Sequence, residues 1–583
     1  MTYHLKVTKR NNAEYAQIVE TVYDFNTKKS KSIAIESFGD LVKRRVTTPN
    51  IDELIQKKIK ELNKNKDIAD KVKIDRLTNK LPYTDADALS TSGALIRKYG
   101  GVFYRKIWEN LNLHTLFKTI VRNSSGKAKI NYDLDLAVFY LTYMRILFPG
   151  SKSKTYSQRT EQIFDLQNIS LDNIYDSLAA IAKRKDYIIG KLNENLENIY
   201  ARVKTIAFYD VTTFYFESFD SDELRARGMS KENKTNEVQV VLGLLVDGEG
   251  IPINYELFRG NTSEMKTIIE VVNKYRQSNG LDKVTVVADR GLNSTLNLQE
   301  LSTLGFDYIV AQSIDKLSAK VKEEVFNEEW DSITYDDKSN EIFKVKTINL
   351  EDNNNKIIVT WSASRQAHDI KVLNERYQKS KELLEKGNGA IDASFTHGVR
   401  QFIKKANSKQ KVEYETNDKL YQKRLNVAGY YALRTSKVNQ DSKEVYHNLR
   451  QLWHIEECFR VMKSNLDTRP VFVWTTDRIK GHFLICYLAL VLERLSYYKV
   501  KQAKIDISNH NLIDKLSKLT ICQPMRHKPI WVKLSNYGSE ELDSKDDELI
   551  RQVFGLVGIE PLNSIDNAAS ISSKIKCKLK LSI

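Results

Sequence analysis

Apolar and polar positions change their rhythm several times along the chain. The N-terminal residues alternate in short strand-like runs, "YAQIVETVYDF" and "SIAIESFGDL", across a polar turn, which predicts a small β unit over residues 1–48. Over 49–203 apolar residues recur every three to four positions, in "IDELIQKKIKEL", "GVFYRKIWENLNLHTLF" and "YDLDLAVFYLTYMRILF". That is the period of amphipathic helices, so this region is expected to be mainly helical.

From 204 the order of elements becomes informative. Strands are expected at 205–216, 237–247 ("EVQVVLGLLVD") and 251–258 ("IPINYELF"), the last two joined by the Gly-rich turn "VDGEGIP" as in an antiparallel meander. A helix over 263–278 closes at Asn279-Gly280, a short apolar strand "KVTVVAD" follows at 283–289, then a helix near 294–304 and the strand "DYIVAQS" at 307–313. Three strands, helix, strand, helix, strand is the order of an α/β ribonuclease H-like core, a mixed sheet flanked by helices. Its first part would span 204–319. Polar strands, a charged helix near 366–386 and the strand "GYYALRTS" then suggest a β-rich insertion domain over 320–436. A long helix over 444–467 and the apolar helix "GHFLICYLALVLERLSYY" would complete the core over 437–505, leaving a lysine-rich, weakly patterned tail at 506–583.

Composition narrows the class. At 583 residues, with 41% hydrophobic and 28% charged residues and 8 prolines, the chain is a folded protein of several units. Lys and Arg outnumber Asp and Glu by 91 to 75, a net charge of +16, which favours a polyanionic partner such as nucleic acid. The helical region 49–203 is then a candidate DNA-binding domain, although a bundle that only packs on the core has the same pattern. Cys458, Cys486, Cys522 and Cys577 are far apart without a CxxC pair, which suggests neither a zinc site nor a disulfide framework. The longest apolar run, "FLICYLALVL", is about half of the roughly 20 residues that span a bilayer, so a cytoplasmic protein without a membrane partner is expected.

The candidate chemistry is acidic. Asp210 interrupts the aromatic strand "TIAFYDVTTFYFES", and Asp289 ends the fourth strand before "RG". Read alone, the first fits a hydrogen-bonded strand residue and the second a turn residue. In a ribonuclease H-like sheet, however, the first and fourth strands are neighbours, so the two carboxylates would converge at one edge and suit a hard divalent ion. On the 444–467 helix Glu456, Arg460 and Lys463 share one face, beside an apolar stripe, whereas Glu457 points about 100° away. The plain alternative is an intrahelical ion pair on a solvated surface.

Together these segments resemble the DDE transposases of bacterial insertion sequences, in the IS four family. "FYDVTTFYFES" resembles that family's first-aspartate strand and "VVADRGLNS" its second-aspartate motif. "LRQLWHIEECFRVMKSNLDTRPVFVWTTDRIKGHFLICYLAL" resembles its glutamate helix and the segment after that helix, the whole likeness running over roughly 205–500. The family's glutamate has a lysine seven residues on, the spacing of Glu456 and Lys463; its tyrosine and arginine before the glutamate meet Leu449 and Leu452 here, a departure from the pattern. The resemblance implies a catalytic and metal-binding triad of Asp210, Asp289 and Glu456, with Arg450, Arg460 and Lys463 on DNA and Tyr209, Thr212, Arg290 and His482 as supporting residues. It further implies Mg²⁺ (Mn²⁺ as a substitute), terminal inverted repeats and target DNA as partners, a homodimer in the synaptic complex, and cut-and-paste strand cleavage and transfer. A ribonuclease H-like nuclease that cuts without joining, and a catalytically inactive DNA-binding repressor, are the competing readings.

Overall fold

The structure, a computed structural model, describes residues 3–10, 13–24, 29–63, 95–126, 129–200, 202, 204–218, 220–228, 237–263, 266–279, 283–350, 354–393, 397–406, 414–469, 471–523, 530–534, 540–562, 565–579 and 581. The chain divides into two compact units: one comprises residues 1–102, 160–165 and 515–583, the other 103–159 and 166–514.

The first unit begins with an antiparallel meander of β1 (Tyr3–Arg10), β2 (Ala13–Asp24) and β3 (Lys29–Asp40). Asp40 ends β3 and caps the helix Leu41–Thr47, its Oδ1 accepting from Val42 N at 3.1 Å. Ile51 and Ile55, on a helix over 51–63, join Ala16, Ile18 and Leu41 in one apolar cluster. The short strand β4 (Leu95–Lys98) belongs to a second sheet of this unit.

The second unit holds a nine-stranded sheet. Before it come helices, of which three matter for the site: α1 (Leu134–Leu147), α2 (Lys152–Ser157) and α3 (Leu171–Ala182). The strands are β5 (Ile206–Tyr215), β6 (Gln239–Val246), β7 (Pro252–Arg259), β8 (Thr285–Ala288) and β9 (Asp307–Gln312), then β10 (Ser332–Tyr335), β11 (Glu341–Asn349) and β12 (Lys356–Ser362), and finally β15 (Tyr430–Thr435). Between β12 and β15 lie the long helix Ala363–Glu385 and the small hairpin β13 (Ile403–Lys405) and β14 (Tyr414–Thr416). The sheet order is β10-β11-β12-β15-β9-β8-β5-β6-β7. β5, β6 and β7 are antiparallel neighbours while β8 and β9 run parallel to β5, the ribonuclease H-like arrangement expected from the element order. Every residue of β6, "QVVLGLLV", is buried, because both faces of the sheet are covered.

The β-rich insertion is present, but its strands continue the core's own sheet. β15 pairs antiparallel with β9, from Ala432↔Gln312 to Thr435↔Ile309, and β12, β11 and β10 follow outward. A core ending at β9 would expose a row of unpaired backbone groups, and β15 satisfies them.

Helices α4 (Ile268–Asn279) and α5 (Thr295–Thr303) cover one face, where Val271, Val272, Leu298 and Leu301 pack with Ala207, Tyr209, Val211, Val286 and Ala288. Beyond β15 the expected single helix over 444–467 is broken into α6 (Ser442–Arg450), α7 (Trp453–Arg460) and a π turn over Val461–Asn465. Three-residue backbone bonds, Gln451 N to Asn448 O and Leu452 N to Leu449 O, end α6. A tight turn of this kind keeps apolar residues three and four apart, so their spacing alone does not reveal it. The 27-residue helix α8 (Thr476–Gln502) follows, buried from Gly481 through Ser496 and packed on α1 and α3. Among the described residues no helix is long and apolar enough to cross a membrane.

The region expected to be a weakly patterned tail is structured. In the first unit, β16 (Thr520–Gln523), β17 (Ile530–Leu534) and β18 (Ile565–Asn567) form a sheet with β4 in the order β18-β17-β16-β4, accompanied by helices Glu540–Gly555 and Ala568–Ile575. Its strands are only three to five residues long, too short to register as hydrophobic periodicity.

Candidate active site

The parallel pairing of β5 with β8 runs from Ile206↔Thr285 to Tyr209↔Ala288. The next residue on each strand is an aspartate, so Asp210 and Asp289 stand side by side where the two strands end their pairing, strand axes being about 4.8 Å apart. Alternation decides which way they face. Ala207, Tyr209 and Val211 on β5, and Val286 and Ala288 on β8, pack under α4 and α5. Asp210 therefore shares the opposite face with Phe208, Thr212 and Phe214, and Asp289 with Val287. Phe214 meets Phe483 of α8 edge-on at 5.3 Å, which identifies this as the face covered by α7 and α8. Asp210 is half-buried and its Oδ1 accepts from Val211 N at 2.7 Å; Asp289 is exposed.

The glutamate helix is seated on the β6–β7 turn. Asp247 shapes that turn, its Oδ1 accepting from Glu249 N and Ile251 N at 3.0 and 2.9 Å, and its Oδ2 is held by Arg202 Nε at 2.8 Å. Gly250 adopts φ +74°, and a Cβ there would lie 3.0 Å from His454 Nδ1 and 2.9 Å from Arg494 Nη2. Only glycine lets α7 approach so closely. Cys458 Sγ completes the seat by donating to Gly250 O at 3.3 Å.

This seating separates the two glutamates. Glu457 turns inward, 3.1 Å from Arg494 Nη1 and 3.4 Å from Arg460 Nη2. Glu456 is exposed and, among the described residues, its carboxylate has no hydrogen-bond or ion-pair partner. Arg460 extends into solvent beyond its contact with Glu457. Lys463 lies in the π turn with its ammonium 5.9 Å from the ring centre of Phe214, four residues along β5 from Asp210 and on the same face. Arg450, at the end of α6, is exposed with its guanidinium 6.0 Å from the Tyr446 ring. Among the described residues no group of three or more His, Cys, Asp and Glu is placed to hold a metal ion; the structure presents two neighbouring aspartates and, on a helix that packs against β5, an exposed glutamate.

The supporting residues divide. Thr212 is buried on Asp210's face and Arg290 is exposed beside Asp289. Tyr209 does not support the carboxylates: it points to the opposite face, where its hydroxyl occupies the space above Gly243 and would come within 2.4 Å of a Cβ there. His482 also lies apart from the acids, buried against Lys152 at 3.0 Å and Thr468 O at 3.1 Å. Sequence reasoning passed over Arg494, although a Glu-Arg pair inside "FLICYLALVLERLS" is a signal that something charged is buried with it. It also passed over Tyr431, whose hydroxyl is pushed up by burial and then by the charge of Asp289, and Arg365, whose guanidinium is 4.5 Å from the Tyr431 ring. Nothing in the spacing of those two residues distinguishes them from ordinary strand and helix positions.

Comparison with known proteins bears on this arrangement. None of the curated proteins matches the chain. Among solved structures, the piggyBac transposase synaptic complex with hairpin DNA is 9% identical, with 72% of this chain and 79% of that one covered and a TM-score of 0.34. The Mos1 transposase paired-end complex with left transposon end is 12% identical over 32% of this chain and 60% of that one, with a TM-score of 0.14. The family model for the transposase DDE domain matches residues 202–492, a span that includes β5 to β9, the insertion, α6, α7 and most of α8. That match, over a span that holds the paired strands β5 and β8 and helix α7, shows that the chain belongs to the DDE transposases.

Proposed function

We propose that this transposase binds the terminal inverted repeats of its own insertion sequence and cleaves and transfers their strands in a metal-dependent, cut-and-paste reaction, with Asp210, Asp289 and Glu456 as the acidic triad. The observation that carries this reading is the register of β5 and β8, which sets Asp210 beside Asp289 on the face of the glutamate helix. Mg²⁺ is commonly held by one or two carboxylates and otherwise by water and phosphate oxygens, and the donor set here suits it, with Mn²⁺ as a substitute. When bound, divalent metal supplies the Lewis acidity that activates an attacking water or 3′-hydroxyl and stabilises the leaving oxygen. The chain's own residues do the holding. Asp210, fixed by its strand and by Val211 N, and Asp289 provide the rigid pair; Glu456, free of the ion pair that occupies Glu457, is the third acid. Arg450, Arg460 and Lys463 contact the DNA backbone, the arginines as planar forks and the lysine as a point charge. Two copies assemble on paired ends, which an element with two inverted repeats requires.

The test is Mg²⁺-dependent cleavage and joining of the element's own end by the full chain. Asp210→Ala, Asp289→Ala and Glu456→Ala are each expected to abolish cleavage while end binding persists. Cleavage that survives any of these substitutions removes that residue from the site. Products that are cut but never joined would replace this reading with that of a nuclease.

A further inference from the structure

Among the described residues, a buried cluster of basic side chains outside the acidic site lies where α1, the start of α2 and the start of α8 meet. Arg145, Lys152 and His482 are 5%, 5% and 4% exposed, and together with Ser151 they line a cleft of about 30 Å³. Each donor is fixed. His482 Nε2 donates to Thr468 O at 3.1 Å, so its Nδ1 is the acceptor for Lys152 Nζ at 3.0 Å. Arg145 Nη1 donates to the carbonyls of Leu466 and Asp467 at 3.3 and 3.1 Å. Among the described residues none of the three forms an ion pair; the cleft's one carboxylate, Asp467, is exposed and is not paired with them. Burial and mutual repulsion hold both Lys152 and His482 below their ordinary protonation range.

Arg145 keeps its charge, and a buried cation without a counter-charge is costly unless something supplies one; an anion there would also let Lys152 take up its proton. The cleft has roughly twice the space one water needs, and Lys152 and Arg145 retain donors beyond the bonds just described. In sequence the cleft follows closely on the glutamate helix of the candidate active site. The segment that leaves Glu456 passes through Lys463 to Leu466 and Asp467, whose carbonyls Arg145 grips, and on to Phe472, which lines the cleft and is 53% exposed. Val471 and Val473 on either side of Phe472 are buried and pin that segment in place.

We infer that this Arg145–Lys152–His482 cleft is a phosphate-binding site that takes a backbone phosphate of the DNA handled by the neighbouring acidic residues, with Phe472 beside it as a surface for the adjoining base. The inference rests on the transposase reading for the identity of its ligand, though the anion site stands on the cleft alone.

Two measurements on the full chain test it. In thermal unfolding at constant ionic strength, replacing chloride by inorganic phosphate is expected to raise the wild-type midpoint. Lys152→Met, which removes the buried amine without leaving a polar group behind, should lose that rise. So should Ser151→Asp, which keeps an oxygen to accept from Lys154 N at the start of α2 and places a carboxylate in the cleft. An equal rise in all three proteins would overturn the site. In the second measurement the slope of log affinity against log salt, for the element's terminal duplex, should become shallower by about 0.9 in Lys152→Met, the loss of one phosphate contact. A lost phosphate response with an unchanged slope would show a free-anion site and overturn the assignment to DNA. Failure of the catalytic reading would appear elsewhere, as cleavage surviving Asp210→Ala, and leaves the unfolding measurement unaffected.

Discussion

At the scale of single residues, the two adjacent glutamates of α7 sit in opposite surroundings, and their stability effects should reveal it. Glu457 is largely buried against Arg494, itself 4% exposed on its side chain. Removing one partner of such a pair leaves a buried charge uncompensated. Glu457→Gln is therefore expected to lower unfolding stability by about 3 kcal/mol, and Glu456→Gln to change it by less than about 0.5 kcal/mol, both read from denaturant midpoints. Equal effects would mean that the inward and outward assignments are exchanged. The family's spacing to Lys463 favoured Glu456 over Glu457, but that Glu457 is held in an ion pair was not legible in the sequence, because its partner lies on another helix. Tyr209 shows the converse. Its neighbour Asp210 stands in β5 just past the last pair with β8, and strict alternation along a strand already implies that the tyrosine faces the other way.

Among the elements, the pairing of β5 with β8 was readable from strand order alone, since two buried strands flanking a meander and a helix leave few topologies open. The division of α6 from α7 was not. It depends on local three-residue bonds and on the seat formed by Asp247 and Gly250, both distant in sequence from the helix they position. Helix α8 imposes a comparable long-range constraint. At Gly481 a Cβ would fall 2.1 Å from Leu178 O, so α3 and α8 meet with backbone against backbone. Gly481→Ala must push the helices apart and is expected to lower stability by about 3 kcal/mol. Thermal unfolding of the variant checks this. An unchanged midpoint would show that α3 has room to retreat.

For the molecule as a whole, the net charge of +16 was plain in the composition, but the sequence could not say which charges are buried. Glu493 is one of them. Burial pushes its carboxyl up to about 7, against the help of Asn509 and Arg494. The folded chain therefore holds this proton more tightly than the unfolded chain does. Its contribution to stability is fully present below the ordinary carboxyl value near 4.5 and is lost as pH rises through about 7. His454, held down to about 4 by burial and by Arg494, works in the other direction: its contribution is present above the ordinary value of 6.5 and is lost as pH falls toward 4. Comparing wild type with Glu493→Gln in denaturant at pH 5 and pH 8 isolates the first group, and the variant is expected to lose less stability between those values. An identical loss would mean that Glu493 is ionised throughout. The strand order of the large sheet has a further consequence, in time. The inserted strands lie between Asp289 and Glu456 in the chain, so a ribosome releases both aspartates well before the glutamate. With these three acids as the triad, a half-made or prematurely ended chain has no complete set, and DNA-cutting capacity arrives only once synthesis has passed the insertion.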